Sequence, residues 1–310
     1  MDGSGRITGK TVLITGGTSG IGFHTASAQA SQGATVYITG RNLKRGQEAV
    51  RQIQATAGQD RVYFLQADAS TVGGNQELAQ TFLEEAGQLH VLINNVGGLY
   101  NDRWETEDGY EATLAMNLVG PFALTAALLP ALAQDGPGRI VNVTSASFAM
   151  WKGDPFVDPH SVENFTGFHA YNRSKYLNLL WTLALARRLQ GSRIVANALH
   201  PGTAWTHMTQ NNAVRLLPPG LRLVWPVFRL LQRNGSPVKA AQTSIYLASA
   251  PEARIFSGEY FESSRRPKEL PQAMLDPVEQ EKAWDLAESL VWDAPTNILA
   301  GEIVAVRALS

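Results

Sequence analysis

The chain of 310 residues contains no cysteine. That absence excludes a disulfide framework, cysteine-ligated zinc and any thiol nucleophile, and it accords with a reducing cytosol. An excess of charge of either sign is also missing, since 26 Lys and Arg stand against 27 Asp and Glu for a formal net charge of -1. Nucleic acid, which is drawn to a basic surface, is therefore not an expected partner. Long apolar runs are lacking too. The opening MDGSGRITGK has no hydrophobic core of the signal-peptide kind, and no later stretch reaches the roughly 18 to 20 uninterrupted apolar residues of a spanning helix. The expectation is a cytoplasmic chain with no transmembrane segment. His169, His200 and His207 share no HxxxH-type spacing and have no accompanying carboxylate, so no metal site is expected.

What is present is a 44% hydrophobic content, enough for a sizeable core. It is arranged in alternating patterns. KTVLITG, ATVYITG, RVYFLQA, LHVLINN, RIVNVTS and RIVANAL read as strands, with helices over residues 20–32, 43–57, 74–86, 108–133 and 170–190. Strands apolar on both faces need helices on both sides, and right-handed crossovers then give one doubly wound parallel sheet of the Rossmann type. The prediction is a single α/β domain over 1–310, with a core over about 8–262 and a C-terminal helix and tail over 263–310. Segments 146–169 and 203–235 break the rhythm. Each follows a strand, at the sheet edge where open α/β folds place their binding loops.

TGGTSGIG, residues 15–22, sits between the first strand and the first helix, where free N–H groups and the positive helix end would face a phosphate. Gly16, Gly20 and Gly22 allow tight turning and close approach, and Thr18, Ser19 and Ile21 complete the loop. The reading is a dinucleotide site. At the end of the second strand, ITGRN places Gly40 where an acid would accept from the ribose hydroxyl of NAD, followed by Arg41, a cation suited to a 2'-phosphate. NADP(H) is expected in preference to NAD(H).

YNRSK, residues 171–175, puts Tyr171 and Lys175 four apart, on one helix face. Such a pair is common by accident. Its context is not: Ser145 closes RIVNVTS at the carboxyl edge of the sheet, NNVG (94–97) closes the fourth strand, Asn117 interrupts an apolar tract in MNLVGPF, and HPGT (200–203) follows the sixth strand. Together these motifs resemble the short-chain dehydrogenase/reductase family over about residues 8–262. The resemblance implies hydride transfer with NAD(P)(H) and an Asn-Ser-Tyr-Lys tetrad at Asn117, Ser145, Tyr171 and Lys175. It further implies cofactor contacts at Asp68 beside the adenine, at Asn94, Val96 and Gly97, at Tyr171 and Lys175, and at Pro201, Gly202 and Thr203.

A carbonyl gaining hydride needs a proton donor and a hydrogen bond to the developing alkoxide. Tyr171 is the expected donor, with Lys175 favouring its phenolate. The stretch 146–170 is longer than in many family members and carries Phe148, Trp151, Phe156, Phe165 and Phe168, which predict an apolar pocket wall. That insertion, ARRLQGS and the late helix KAWDLAESLV resemble the retinol-dehydrogenase-like branch, implying a lipophilic alcohol, aldehyde or ketone as substrate. Segment 211–235 is expected to be a lid over that substrate, with a membrane-surface contact as the alternative. A homodimer through the helices of 108–133 and 170–190 is also implied. Two rival readings stand beside the oxidoreductase: a non-redox biosynthetic enzyme and a non-catalytic NADP(H)-binding regulator.

Overall fold

The structure, a computed structural model, describes residues 7–134, 136–202, 236–263 and 265–298. Seven strands form one sheet. They are β1 (Thr11–Ile14), β2 (Thr35–Gly40), β3 (Val62–Gln66), β4 (Val91–Asn94), β5 (Gly138–Val143), β6 (Ile194–His200) and β7 (Tyr260–Glu262), all parallel in the order 3-2-1-4-5-6-7. The helices between them are α1 (Gly20–Ser31), α2 (Leu43–Ala57), α3 (Val72–Ala86), α4 (Ala112–Leu114), α5 (Gly120–Gln134), α6 (Gly167–Arg188) and α7 (Pro237–Ser249). Two more, α8 (Gln272–Leu275) and α9 (Pro277–Trp292), follow the sheet.

Alternation along each strand sends successive side chains to opposite faces. Val12 and Ile14 join Val36, Ile38, Val91 and Ile93 under α1, α2 and α7, while Leu13, Tyr37 and Leu92 join the core under α3, α5 and α6. Both faces are covered, which is why the strands read as nearly unbroken apolar runs. The strand order reverses between β1 and β4, with β2 and β3 wound to one side and β5, β6 and β7 to the other. A cleft at the carboxyl ends of β1 and β4 is the geometric consequence.

Three elements differ from their sequence expectation. The helix expected from 108 begins at Ala112 and passes through a π turn at Ala115–Val119 before continuing as α5. Ser145 lies beyond the end of β5, as the cap of a short 3-10 turn over Ala146–Met150. The seventh strand, only three residues long, carries too little periodicity to be read from the sequence. Residues Ala112–Leu132 are long and apolar enough to cross a membrane by length and composition, but 89% of the apolar 18-residue window within them is buried inside the fold. Thr203, His207, the 211–235 segment and residues 299–310 lie outside the described residues.

Candidate active site

Residues 15–19 turn over the sheet edge at the strand-order reversal. Gly16 takes a φ of 67°, in the left-handed region that favours glycine. Gly22 passes so close that a Cβ there would lie 2.4 Å from the Gly16 carbonyl oxygen. Ser19 precedes α1 without a side-chain cap, whereas Asn42 and Thr71 cap α2 and α3 by accepting from the Arg45 and Gly74 N–H groups. The first turn of α1, with Gly20, Ile21 and Gly22, therefore presents its N–H groups and dipole to an anion. The loop is braced from β4. Thr15 Oγ1 accepts from the Asn95 and Val96 N–H groups, both at 3.0 Å, and Asn95 Nδ2 donates to the Thr15 carbonyl at 2.9 Å.

At the end of β2, a Cβ on Gly40 would come within 2.9 Å of Thr18 Cγ2, so an acidic side chain there is opposed sterically as well as absent. Arg41 beside it is exposed and makes no ion pair among the described residues. Asp68 follows β3 and holds its loop through Oδ1, which accepts from the Ser70 N–H at 2.9 Å and hydroxyl at 2.7 Å. Its charge and that of Arg41 both act on the Tyr100 hydroxyl, with burial the larger influence in raising it. Pro201 and Gly202 leave β6 at the same edge of the sheet.

The tetrad residues expected from the motifs meet beside this cleft. Thr166 caps α6, which places Tyr171 in its second turn and Lys175 one turn further on. Lys175 is 4% exposed; its Nζ donates to the Val143 carbonyl at 3.0 Å and stands 5.8 Å from the Tyr171 ring centroid. The Ser145 side chain is a hydrogen-bonding partner of the Tyr171 hydroxyl. Asn117 lies in the π turn, where its Oδ1 accepts from the Gly98 N–H and its Nδ2 donates to the Gly98 carbonyl and to Ser174 Oγ, each at 2.9 Å. A Cβ on Gly97 would lie 3.0 Å from Asn117 Oδ1 and 3.3 Å from Lys175 Nζ, so glycine keeps open the space those groups share.

Burial pushes the Tyr171 phenol up, and the bond from Ser145 works against it. Burial also pulls the Lys175 ammonium down to about 7. Burial and the Ser145 bond are the two influences on the Tyr171 phenol, while Lys175 Nζ donates to the Val143 carbonyl. What the arrangement offers is a phenol, a hydroxyl and an amine that titrates near neutrality, aligned at the mouth of the cleft. Such a group can give a proton to an oxygen there or take one from it.

Residues 10–215 match the family model described as short chain dehydrogenase. The chain belongs to that family. Among its curated relatives, this short-chain dehydrogenase is 37% identical over 303 residues to Homo sapiens retinol dehydrogenase 14, covering 93% of this chain and 88% of the relative. It is 34% identical to Homo sapiens retinol dehydrogenase 12, over 92% and 87% of the two chains. It stands in the retinol-dehydrogenase-like branch. Among solved structures it is similar to RhlG of Pseudomonas aeruginosa in its NADP active-site complex (26% identity, TM-score 0.67, 84% and 97% of the chains). An uncharacterised protein from Mycobacterium paratuberculosis is similar at 26% identity, TM-score 0.71, over 94% and 97%.

The short-chain dehydrogenase site also contains residues that motif reading passed over. Asn94, expected at the cofactor, turns its side chain into the core, donating to Thr125 Oγ1 at 2.9 Å and Asn142 Oδ1 at 2.8 Å; the neighbouring Asn95 is the residue that ties β4 to the glycine loop. The signal was present in the doubled asparagine of NNVG, without a means of telling which faced which way. Asn178 donates to the Asn117 carbonyl at 2.8 Å and so holds the π turn open. Arg173, inside YNRSK, is 4% exposed and fastens the 146–169 insertion: it donates to the Val157 and Asp158 carbonyls and to Ser161 Oγ, and lies 5.0 Å from the Trp151 ring centroid.

Proposed function

We propose that this chain is an NADP(H)-dependent oxidoreductase that interconverts a carbonyl and a primary or secondary alcohol on a lipophilic small molecule, with Tyr171 handling the proton. The observation that carries the reading is the convergence of Tyr171, Ser145, Lys175 and Asn117 beside an α1 start left without a side-chain cap. Retinol dehydrogenase is the name of the curated relatives, which supports a lipophilic substrate.

The residues present fit a dinucleotide. Gly16, Thr18, Ser19, Gly20, Ile21 and Gly22 would hold its pyrophosphate against the dipole of α1. Arg41 would take the 2'-phosphate, Asp68 the adenine, and Val96 and Gly97 would border the nicotinamide ribose beside Tyr171 and Lys175. Pro201 and Gly202 would line the nicotinamide end. When bound, the nicotinamide would supply or accept the hydride. In the reducing direction Ser145 would hydrogen-bond the substrate oxygen while Tyr171 passes its proton to that oxygen as negative charge develops there. Lys175, titrating near neutrality, would restore the proton to Tyr171. Asn117 would keep Lys175 and the Gly97–Gly98 turn in register.

The test is NADPH consumption, with NADH alongside, against apolar aldehydes and ketones, for wild type and Tyr171→Phe. The expected outcome is turnover with NADPH in preference to NADH, cut in the variant by about 10²- to 10⁴-fold, the contribution of a positioned acid. Dinucleotide binding with no turnover in either direction would instead favour the regulator, and substrate conversion without cofactor oxidation the non-redox enzyme.

A further inference from the structure

The C-terminal segment 294–298 leaves α9 and lies against the start of α3. Thr296 is its anchor. The Thr296 hydroxyl donates to Asp108 Oδ1 at 2.5 Å and accepts from the Gly73 N–H at 2.8 Å, while its own N–H reaches Asp108 Oδ1 at 3.3 Å. Gln76 fixes the following residues, its Nε2 donating to Asn297 Oδ1 and its Oε1 accepting from the Ile298 N–H, both at 2.8 Å. Asp108 is 5% exposed and gives its other oxygen to the Val72 N–H at 2.8 Å. The N–H groups that open α3 are thus satisfied by the adjacent cap Thr71 and by two distant parts of the chain, Asp108 and Thr296.

This first turn of α3 bears directly on the loop that carries Asp68. A Cβ on Gly74 would lie 2.3 Å from the Asp68 carbonyl oxygen, so a displacement of the turn is felt by the loop. Thr296 and Ile298 also face outward into a cleft of about 690 Å³ whose other walls include Arg41, Gln66 and Asp68. The tail therefore touches the adenosine end of the expected cofactor site in two ways, through the α3 turn and as part of the cleft wall.

We propose that Thr296 is a positioning residue for the adenosine 2'-phosphate end of the dinucleotide. By bridging Asp108 and Gly73 it fixes the Asp68 loop and closes the outer wall of the cleft, so that cofactor affinity depends on a segment far from the tetrad. The inference rests on the NADP(H) reading above and adds to it a determinant that no glycine loop or tetrad motif contains.

The experiment is calorimetric titration of full-length wild type, Thr296→Val and Gly73→Ala with NADP+, NAD+ and adenosine 2',5'-bisphosphate, together with kcat at saturating cofactor. Gly73→Ala displaces the segment by a second route, because its Cβ would meet the Thr296 carbonyl oxygen at 2.4 Å while the threonine side chain stays intact. Both variants are expected to bind NADP+ and the bisphosphate about tenfold more weakly, the effect of losing one well-placed hydrogen-bonded contact, with kcat held. Unchanged affinity in both variants would overturn the inference, and so would an equal fall in affinity and kcat, the mark of general loosening. If wild type binds neither dinucleotide, the cofactor reading fails and takes this inference with it; if wild type binds and the variants bind as tightly, this inference fails alone.

Discussion

At the scale of single residues, Lys175 is a group whose chemistry departs far from its free value. Its ammonium is drawn from an ordinary 10.5 down to about 7 by burial, with the Val143 carbonyl as its hydrogen-bond acceptor. Below about pH 7 folded and unfolded chains both carry the charge, and the folded state bears the full cost of burying it. Between about 7 and 10.5 the unfolded chain binds a proton that the folded chain has released, so this residue makes stability climb with pH across that window. Lys175→Met removes the titration. Its melting temperature should exceed that of wild type most below pH 7, and the gap should narrow as pH rises toward 10; a gap independent of pH would mean that Lys175 stays charged in the fold. The same variant loses oxidoreductase turnover at every pH if the amine recharges Tyr171, which separates the residue's cost to the fold from its use in the site.

At the scale of elements, α6 does two jobs from adjacent residues. One face carries Tyr171 and Lys175, while Arg173 between them reaches the other way to hold residues 157–161 of the insertion. That loop needs holding, since Asp158 and Ser161 adopt φ angles of 48° and 50°, left-handed conformations that cost non-glycine residues energy. Removing the guanidinium strips the carbonyls of a buried charged donor, worth about 2 to 3 kcal/mol. Arg173→Ala should therefore raise KM for apolar substrates several-fold and speed hydrogen exchange over 157–163, while KM for NADPH stays put. Arg173→Lys should rescue little, because one ammonium cannot replace a fork that serves three acceptors. These elements also show what was legible in advance. The βα alternation, the glycine loop and the shared helix face of Tyr171 and Lys175 could be read because each has a local spacing, GxxxGxG for a tight turn and four residues for one helix face, whereas Asn117 and Ser145 were joined to them only by the family resemblance. The π turn at Asn117 could not, since nothing in MNLVGPF signals an extra residue per turn; the bulge exists because Asn178, on another helix, takes the freed carbonyl. Arg173 was hidden inside its own motif, and the direction of Asn94 was decided by Asn142 and Thr125 across the core.

At the scale of the whole molecule, α9 settles how α5 and α6 are covered. A helix apolar on one stripe needs one partner, but buried residues run all round α6, from Leu177 and Asn178 through Trp181 and Leu185. The sheet takes one side and α9 the other. Trp284 packs on Phe122 at 4.9 Å between ring centroids, Phe122 packs on Trp181 at 5.6 Å, and the Arg188 guanidinium lies 4.4 Å over Trp284. Polar contacts lock the helix at both ends: Arg187 and Arg188 pair with Glu281, and the Tyr110 hydroxyl donates to the Leu290 carbonyl at 2.6 Å. Part of the surface of α5 and α6, around Phe122, Trp181, Arg187 and Arg188, is therefore covered by the chain's own helix. A second copy meeting the patch around Phe122 would have to displace Trp284, and truncating a buried indole to alanine costs about 3 to 5 kcal/mol. The chain should accordingly sediment as a species of 33.6 kDa at micromolar concentration. Trp284→Ala, which loosens α9, should shift toward a dimer or larger species as concentration rises, because the apolar face of Phe122 and Trp181 then seeks another cover. A wild-type species of twice the mass that Trp284→Ala leaves unchanged would mean that subunits meet through a different face.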